Sequence, residues 1–120
     1  MKNYDSKLYE TDGHPIPSEC LDNIDMITKQ KDGSVELIII SSGYLDESDY
    51  TLNRIEDKIN NYLYYINSGE FKEDFGIPTI VRTRIILSCT EVPNVEVEKY
   101  IKSIREIVNE HNASIEMRIN

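Results

Sequence analysis

The chain has 120 residues, of which 39% are hydrophobic and 29% charged, a composition typical of one globular domain. No apolar run approaches the ~20 residues of a membrane-spanning helix, and no hydrophobic segment follows the N-terminus, so the sequence predicts a cytoplasmic protein without a secretory signal. The formal net charge of −9 argues against nucleic-acid binding, because contacts with phosphate need clustered Lys and Arg, whereas a basic protein partner or solubility alone is compatible with it.

Residues 1–22 differ from the rest of the chain, because they are polar and acidic and carry Pro15 and Pro17 close to Gly13. Proline restricts its own φ angle and the conformation of the residue before it, so we predict an N-terminal extension with little regular structure. Residues 23–120 are predicted to form a single domain. The apolar residues that could anchor the extension on this domain are Leu8, Tyr9 and Ile16.

A β-hairpin opens the predicted domain. A strand at residues 24–30 leads into the turn Lys31-Asp32-Gly33 and then into the strand Val35–Ser41, the most apolar stretch of the chain. An Asp-Gly pair is typical of tight hairpin turns, and strands joined so closely must pair antiparallel. Both faces of the second strand are apolar near its C-terminal end, which predicts an interior strand that is covered on each side.

Two helices and two further strands alternate along the rest of the domain. Apolar residues at helical spacing predict helices at residues 47–67 and 94–111, and alternating apolar residues predict strands at 79–89 and 113–120. Residues 70–78 are predicted to form a surface connection. The order β-β-α-β-α-β predicts an α/β fold, more narrowly an α+β two-layer sandwich. It would have a four-stranded mixed sheet and both helices on one face, because right-handed crossovers place them together.

Two stretches of this domain carry a family resemblance. They are the hairpin Lys31-Asp32-Gly33-Ser34-Val35-Glu36-Leu37 with its acidic loop, and the helix Lys58-Ile59-Asn60-Asn61-Tyr62 with Ile66-Asn67-Ser68-Gly69. With the later strand, they resemble a bacterial family of unknown function that has a β-β-α-β-α-β core. The resemblance covers Leu21–Ile119 and leaves residues 1–20 outside. It implies a small cytoplasmic bacterial domain and no established activity.

The sheet face opposite the helices is the principal candidate interface. Apolar residues lie there among charged ones, and such a face is too apolar for a surface that only meets solvent. The candidate interface residues are Ile38, Ile40, Ile80, Arg82, Arg84 and Ile86. The arginines could bind a carboxylate or phosphate, but cross-strand pairing with Glu36 or Glu116 is favoured, because such pairs recur on sheets.

The loop Ser41-Ser42-Gly43 lies between a predicted strand and a helix N-terminus, where phosphates often bind. The further glycines and the basic residue of a phosphate loop are missing, however. Asp46, Glu47 and Asp49 follow this loop. We predict that they complement the helix dipole and bind no calcium, and they are the candidate contact for a basic partner.

The two cysteines and two histidines predict no metal and no cofactor. Cys20, Cys89, His14 and His111 match no zinc-binding spacing, and two cysteines suit a reducing compartment. A nucleophilic pair of Cys89 and His111 is disfavoured, because the second helix would separate them by ~25 Å at ~1.5 Å per residue.

These observations favour a small acidic cytoplasmic protein-interaction module without catalytic activity. Its partner is predicted to be another protein or a second copy of the chain, with no nucleic acid and no membrane. One specific version is an immunity protein that neutralises a basic, nuclease-type toxin, since charge complementarity speeds such an encounter. The alternative is a small-ligand-binding or enzymatic domain with a pocket at the Ser41–Gly43 loop and the C-terminal ends of the strands.

Overall fold

The computed structural model describes residues 14–17 and 23–120. Its strands are β1 (Met26–Lys29), β2 (Val35–Ser41), β3 (Thr83–Cys89) and β4 (Ser114–Ile119). Its helices are α1 (Asp49–Ile66), α2 (Gly69–Phe75), α3 (Val95–Ser103) and α4 (Arg105–Glu110). The predicted fold class is confirmed, because the strands form a mixed sheet with the helices packed on it in an α+β arrangement.

The strands lie in the order β1-β2-β3-β4. β1 pairs antiparallel with β2, as the short turn requires, and Met26 lies opposite Ile38. The β2–β3 and β3–β4 pairs are parallel, because a helical connection returns the chain between them. This register places Ile38, Ile86 and Glu116 in one row across the sheet.

The core lies between the helices and one face of the sheet. That face contributes Val35, Leu37 and Ile39 from β2 and Ile85 and Leu87 from β3, all fully buried or nearly so. Every helix adds buried apolar side chains to the same cluster, among them Ile59, Phe71, Val97 and Val108. Ile16 belongs to this cluster too, so a residue of the predicted extension packs with the domain.

The segment after α1 differs from the sequence prediction. Residues 70–78 were predicted as a surface connection, but a short helix, α2, occupies most of this stretch and buries Phe71. Gly69 is the first residue of this helix. Gly76, at the end of α2, has a φ of 88°, at which a side chain would be strained.

The third strand begins at Thr83 and not at Thr79. Residues 80–82 form a turn, in which the Thr83 amide donates to the Thr79 carbonyl at 2.9 Å. The predicted second helix is also divided, since α3 ends at Ser103 and α4 begins at Arg105.

Replacing Ile16 with Ala should lower the free energy of unfolding by roughly 2 to 4 kcal/mol, because the truncation leaves a cavity in the core. Urea unfolding monitored by circular dichroism measures this change. The matched control is Val92→Ala, at a side chain that is 68% exposed. The control should shift the free energy by less than about 0.5 kcal/mol, and equal effects of the two variants would contradict the packing of Ile16.

Candidate functional site

On one face of the sheet none of the helices α1–α4 packs, and this helix-free face exposes apolar side chains on β1 and β2. Met26 is 45% exposed and Ile40 42% exposed, with half-buried Ile38 between them along the β1–β2 pair. Ile86 faces the same side but is fully buried. Met26 was not among the predicted interface residues. The hairpin register places Met26 opposite Ile38. Counting residues back from the β1–β2 turn would therefore have identified Met26 as a member of this face.

Two arginines and two glutamates lie on the same face as these apolar residues. Glu36 lies between them, with its Oε2 atom 3.8 Å from Arg84 Nε and 3.5 Å from Arg118 Nη2. Arg118 Nη2 is also 3.3 Å from Glu116 Oε2. The hydrogen bond that Arg118 donates to Glu36 raises the pKa of the Arg118 guanidinium above its ordinary value. Arg84 thus pairs with Glu36 across the strands, and the face carries two charges of each sign.

Ile80 and Arg82 do not lie on this face. Both are in the turn before β3, where Ile80 is exposed to solvent. Arg82 donates to the carbonyls of Ile77 at 3.0 Å, Gly33 at 3.1 Å and Phe75 at 3.1 Å. Its guanidinium therefore ties the β1–β2 turn to the segment after α2. Of the six candidate interface residues, the structure brings together Ile38, Ile40, Arg84 and Ile86.

The three acidic residues at the start of α1 have different roles, and Asp46 is the one that supports the N-cap. Asp46 Oδ1 accepts hydrogen bonds from Thr51 Oγ1 at 2.6 Å and Ser48 Oγ at 2.7 Å, and these bonds lower the pKa of Asp46 to about 2. Ser48 is the N-cap residue. Glu47 accepts from Asn94 Nδ2 at 2.7 Å, and Asp49 is exposed in the first turn. Across residues 14–17 and 23–120, no cluster of His, Cys, Asp and Glu could hold a metal ion.

Residues 14–17 cover the loop that was predicted to line a ligand pocket. The Ser42 amide, which an anion would need, donates to the Pro15 carbonyl at 3.2 Å, and a Cβ on Gly43 would lie 3.3 Å from the Pro15 ring. Arg54 Nη1 donates to the Ile16 carbonyl at 2.9 Å. The chain's own backbone therefore occupies the position at which the alternative function places a ligand.

A cavity of about 310 Å³ remains beside this segment, at the C-terminal end of β2. The residues that line it are Pro15, Ile16, Pro17, Asp25, Ile40, Ser42 and Lys58. Its two charged groups already bind each other. Lys58 Nζ lies 2.8 Å from Asp25 Oδ1 and also donates to the Asn23 carbonyl at 2.9 Å. The second Asp25 oxygen accepts from the Ile40 amide at 2.9 Å, so the pair fastens the start of β1 to β2.

Tyr62 completes this buried polar cluster. Its hydroxyl accepts from the Asp25 amide at 2.9 Å and donates to the Ile38 carbonyl at 2.7 Å. Burial raises the pKa of the Tyr62 hydroxyl far above its ordinary value, so it stays protonated. Sequence reasoning missed this cluster, although Lys58 stands at helical spacing within the apolar stripe of Ile55 and Tyr62, and that placement of a lysine was the available signal.

Cys89 and His111 are placed apart. Cys89 is the last residue of β3 and lies opposite Ile119 of β4. His111 follows α4 and comes just before Ser114, the first residue of β4, which lies opposite Arg84. They therefore lie at opposite ends of the β3–β4 pair. Burial raises the pKa of the Cys89 thiol, which disfavours the reactive thiolate. Cys20 lies outside the described residues.

Lys58→Met should lower the free energy of unfolding by about 3 kcal/mol, because the substitution leaves the Asp25 carboxylate without its buried partner. Guanidinium unfolding followed by tyrosine fluorescence tests this. The matched control is Lys99→Met, which breaks an exposed pair with Glu96 and should cost less than about 0.5 kcal/mol. A Lys58→Met protein as stable as the control would show that the pair is dispensable.

Asp46→Asn should destabilise the protein at neutral pH, and this difference should shrink in acid. The pKa of Asp46 falls from 3.8 to about 2 on folding, so the carboxylate stabilises the fold fully above the unfolded value. That contribution is lost as the pH falls through the folded value. Thermal melts of both proteins between neutral pH and pH of about 2 measure the difference, with Asp49→Asn as the equal-charge control. A pH-independent difference for Asp46→Asn would contradict the assignment.

Comparison with known proteins identifies a family for this chain. The model of a family of unknown function, DUF6572, matches residues 18–120, and neither the curated proteins nor the solved structures give a match. Within the described residues, no helix combines the length and hydrophobicity needed to cross a membrane. The predicted resemblance to an uncharacterised family is confirmed, while the bacterial origin that it implied stays a prediction. The chain belongs to DUF6572, a family to which no function has been assigned.

Proposed function

We propose that this protein is a non-catalytic protein-interaction module and that two copies pack against each other through the helix-free face of the sheet. The observation that carries the proposal is the exposure of Met26 and Ile40 beside Ile38 on a face without helices. Burying such side chains against a second sheet removes apolar surface from water and stabilises the contact. Sheets that pack face to face in this way are common in proteins.

The charges of the face favour a second copy as the partner. Glu36 and Glu116 are matched by Arg84 and Arg118, so the face has no excess charge with which to attract a strongly basic or acidic surface. A twofold axis brings the same patch to both sides of a contact. It can therefore set arginines of one copy opposite glutamates of the other.

The size of the face predicts a weak dimer. Four strands at a spacing of ~4.8 Å and a length of ~20 Å give a footprint of roughly 400 Å². Stable interfaces usually bury about 800 Å² on each partner, so the sheet face alone supports an association that depends on protein concentration. An obligate dimer would need more contact area.

The proposed lack of catalytic activity rests on how the polar groups are bonded and buried. In the part of the chain that the structure describes, Lys58, Asp25 and Tyr62 bind one another, and the Cys89 thiol is buried with a raised pKa. Groups held in this way support the fold and offer no exposed nucleophile or base.

An immunity role toward a basic toxin is a narrower proposal, and the charge distribution favours the helical layer as its contact. The four helices contain ten acidic and six basic residues, and two of the basic ones, Arg54 and Lys58, are buried. The strands contain two acidic and three basic residues. A basic partner would thus meet the helices and the exposed Glu47 and Asp49 at the start of α1, leaving the sheet face for the second copy.

Ile40→Asp should abolish the dimer, because it places a charge at an exposed apolar position of the proposed contact. Sedimentation velocity from micromolar to millimolar protein measures the shift in mass, and thermal melts check that the fold is kept. Val92→Asp, at an exposed position between β3 and α3, adds the same charge outside the strands and should still dimerise. A wild-type protein that stays monomeric at millimolar concentration, or an Ile40→Asp variant that dimerises normally, would refute the sheet contact.

A further inference from the structure

A groove runs along the outer surface of the helical layer, between α1 and the α3–α4 segment. Two adjoining cavities of about 560 and 70 Å³ form it, and both are lined by Asn60, Leu63 and Ile107. On the α1 side the lining extends from Glu56 to Asn67. The groove is therefore ~16 Å long at ~1.5 Å per residue, which is about three helical turns.

The groove has an apolar part and a polar end. Polar side chains of the larger cavity are Asn60, Asn67, Ser68 and His111. Tyr64 on α1 is 82% exposed and Ile107 on α4 is 54% exposed, and both line the larger cavity. Leu63 and Val108 lie beneath them, buried, with half-buried Ile104 alongside. Two large apolar side chains thus stand on opposite walls of a cleft whose floor continues the hydrophobic core.

Acidic side chains border the groove. Glu56 lines the smaller cavity, and Asp57 stands one and two turns before Asn60 and Tyr64 on the same side of α1. Burial, and after it the charges of Glu56 and Asp57, raise the pKa of Tyr100, which lines the smaller cavity, to about 12. On α4, Glu110 follows Ile107 by one turn.

These border carboxylates differ from those on α3. Glu96 and Glu98 are paired with Lys99 at 3.2 Å and Lys102 at 3.8 Å. Among the described residues, Glu56, Asp57 and Glu110 have no basic side chain within salt-bridge distance. The border of the groove therefore carries three carboxylates that form no ion pair within the described residues. The cleft beside them is apolar along Leu63 and Ile107 and polar at its His111 end.

We propose that this groove binds an amphipathic helix whose flanks carry Lys or Arg, supplied by a partner protein. A cleft between two helices accepts a third helix by the same side-chain packing that joins helices in cores, and three turns of such a helix present apolar anchors at i, i+3 or i+4, and i+7. The basic flanks would meet Glu56, Asp57 and Glu110, and charge complementarity would fix the orientation and speed the encounter. The inference rests on the proposed function only in treating the chain as an interaction module and does not need the sheet contact.

The test uses a labelled synthetic Leu/Lys peptide of about 15 residues, designed as an amphipathic helix, and fluorescence anisotropy at physiological salt. We expect it to bind at least about tenfold more tightly than a scrambled peptide of the same composition. A Leu/Glu helix should not bind. Equal binding of the ordered and scrambled peptides, binding of the Leu/Glu helix, or no binding at all would overturn the proposal.

Two variants separate groove binding from simple charge attraction. Ile107→Glu removes an apolar wall and adds a negative charge, so it should weaken binding of the amphipathic peptide at least about tenfold. If charge attraction alone held the peptide, the added negative charge would make its binding tighter. Val92→Glu adds the same charge away from the groove and should leave binding unchanged or slightly tighter. Tyr64→Ser, at a highly exposed position, repeats the test without a new charge and without risk to folding. Unweakened binding by both groove variants would overturn the proposal.

The sheet-face variant makes the two proposals distinguishable. Ile40→Asp should lose the dimer and keep peptide binding, because Ile40 lies on the opposite side of the sheet from the helices. Peptide binding by a protein that never dimerises would support the groove and refute the sheet contact. A protein that dimerises but binds no peptide would support the sheet contact and refute the groove.

Discussion

The buried contact between Lys58 and Asp25 is the interaction on which the arrangement of this protein depends. One oxygen of Asp25 meets Lys58 of α1 and the other meets the Ile40 amide of β2, while Tyr62 joins the Asp25 amide to the Ile38 carbonyl. Helix α1 is thereby tied to both strands of the hairpin. Breaking one member would leave the others desolvated and unpaired, which is why a buried pair of this kind is costly to disrupt even when its net contribution is small.

This anchoring sets two different surfaces on the two sides of one sheet. Helix α1 covers one face and presents the groove along Leu63 and Tyr64, and the other face keeps its exposed Met26 and Ile40. The charges follow the same division, since the helices are acidic and the strands nearly balanced. A dimer through the sheets would leave both grooves facing outward, so the two proposed contacts are physically compatible.

Several elements were predictable from local pattern, and the misses have local causes. The hairpin followed from Asp32-Gly33, and α1 from its apolar stripe. Helix α2 was missed because a helix of seven residues is too short to display a clear period. The start of β3 was misplaced because Ile80 and Val81 look like strand residues, whereas hydrogen bonds to Thr79 fold them into a turn. Of the candidate interface, only the residues inside β2 and β3 came together on one face.

By itself, the sequence determined the fold class and the face on which the helices pack, because hydrophobic periodicity is a property of neighbouring residues. The tertiary structure alone decided which of the remaining apolar residues meet solvent. Ile40 and Ile86 are identical side chains on the same face, yet Ile40 is exposed and Ile86 is buried. Strand pairing accounts for the difference, since Ile86 lies within the central β3 between Ile38 and Glu116, and Ile40 lies beyond the last β1–β2 pair. Exposure depends on neighbours that are distant in the chain, and no local pattern contains that information.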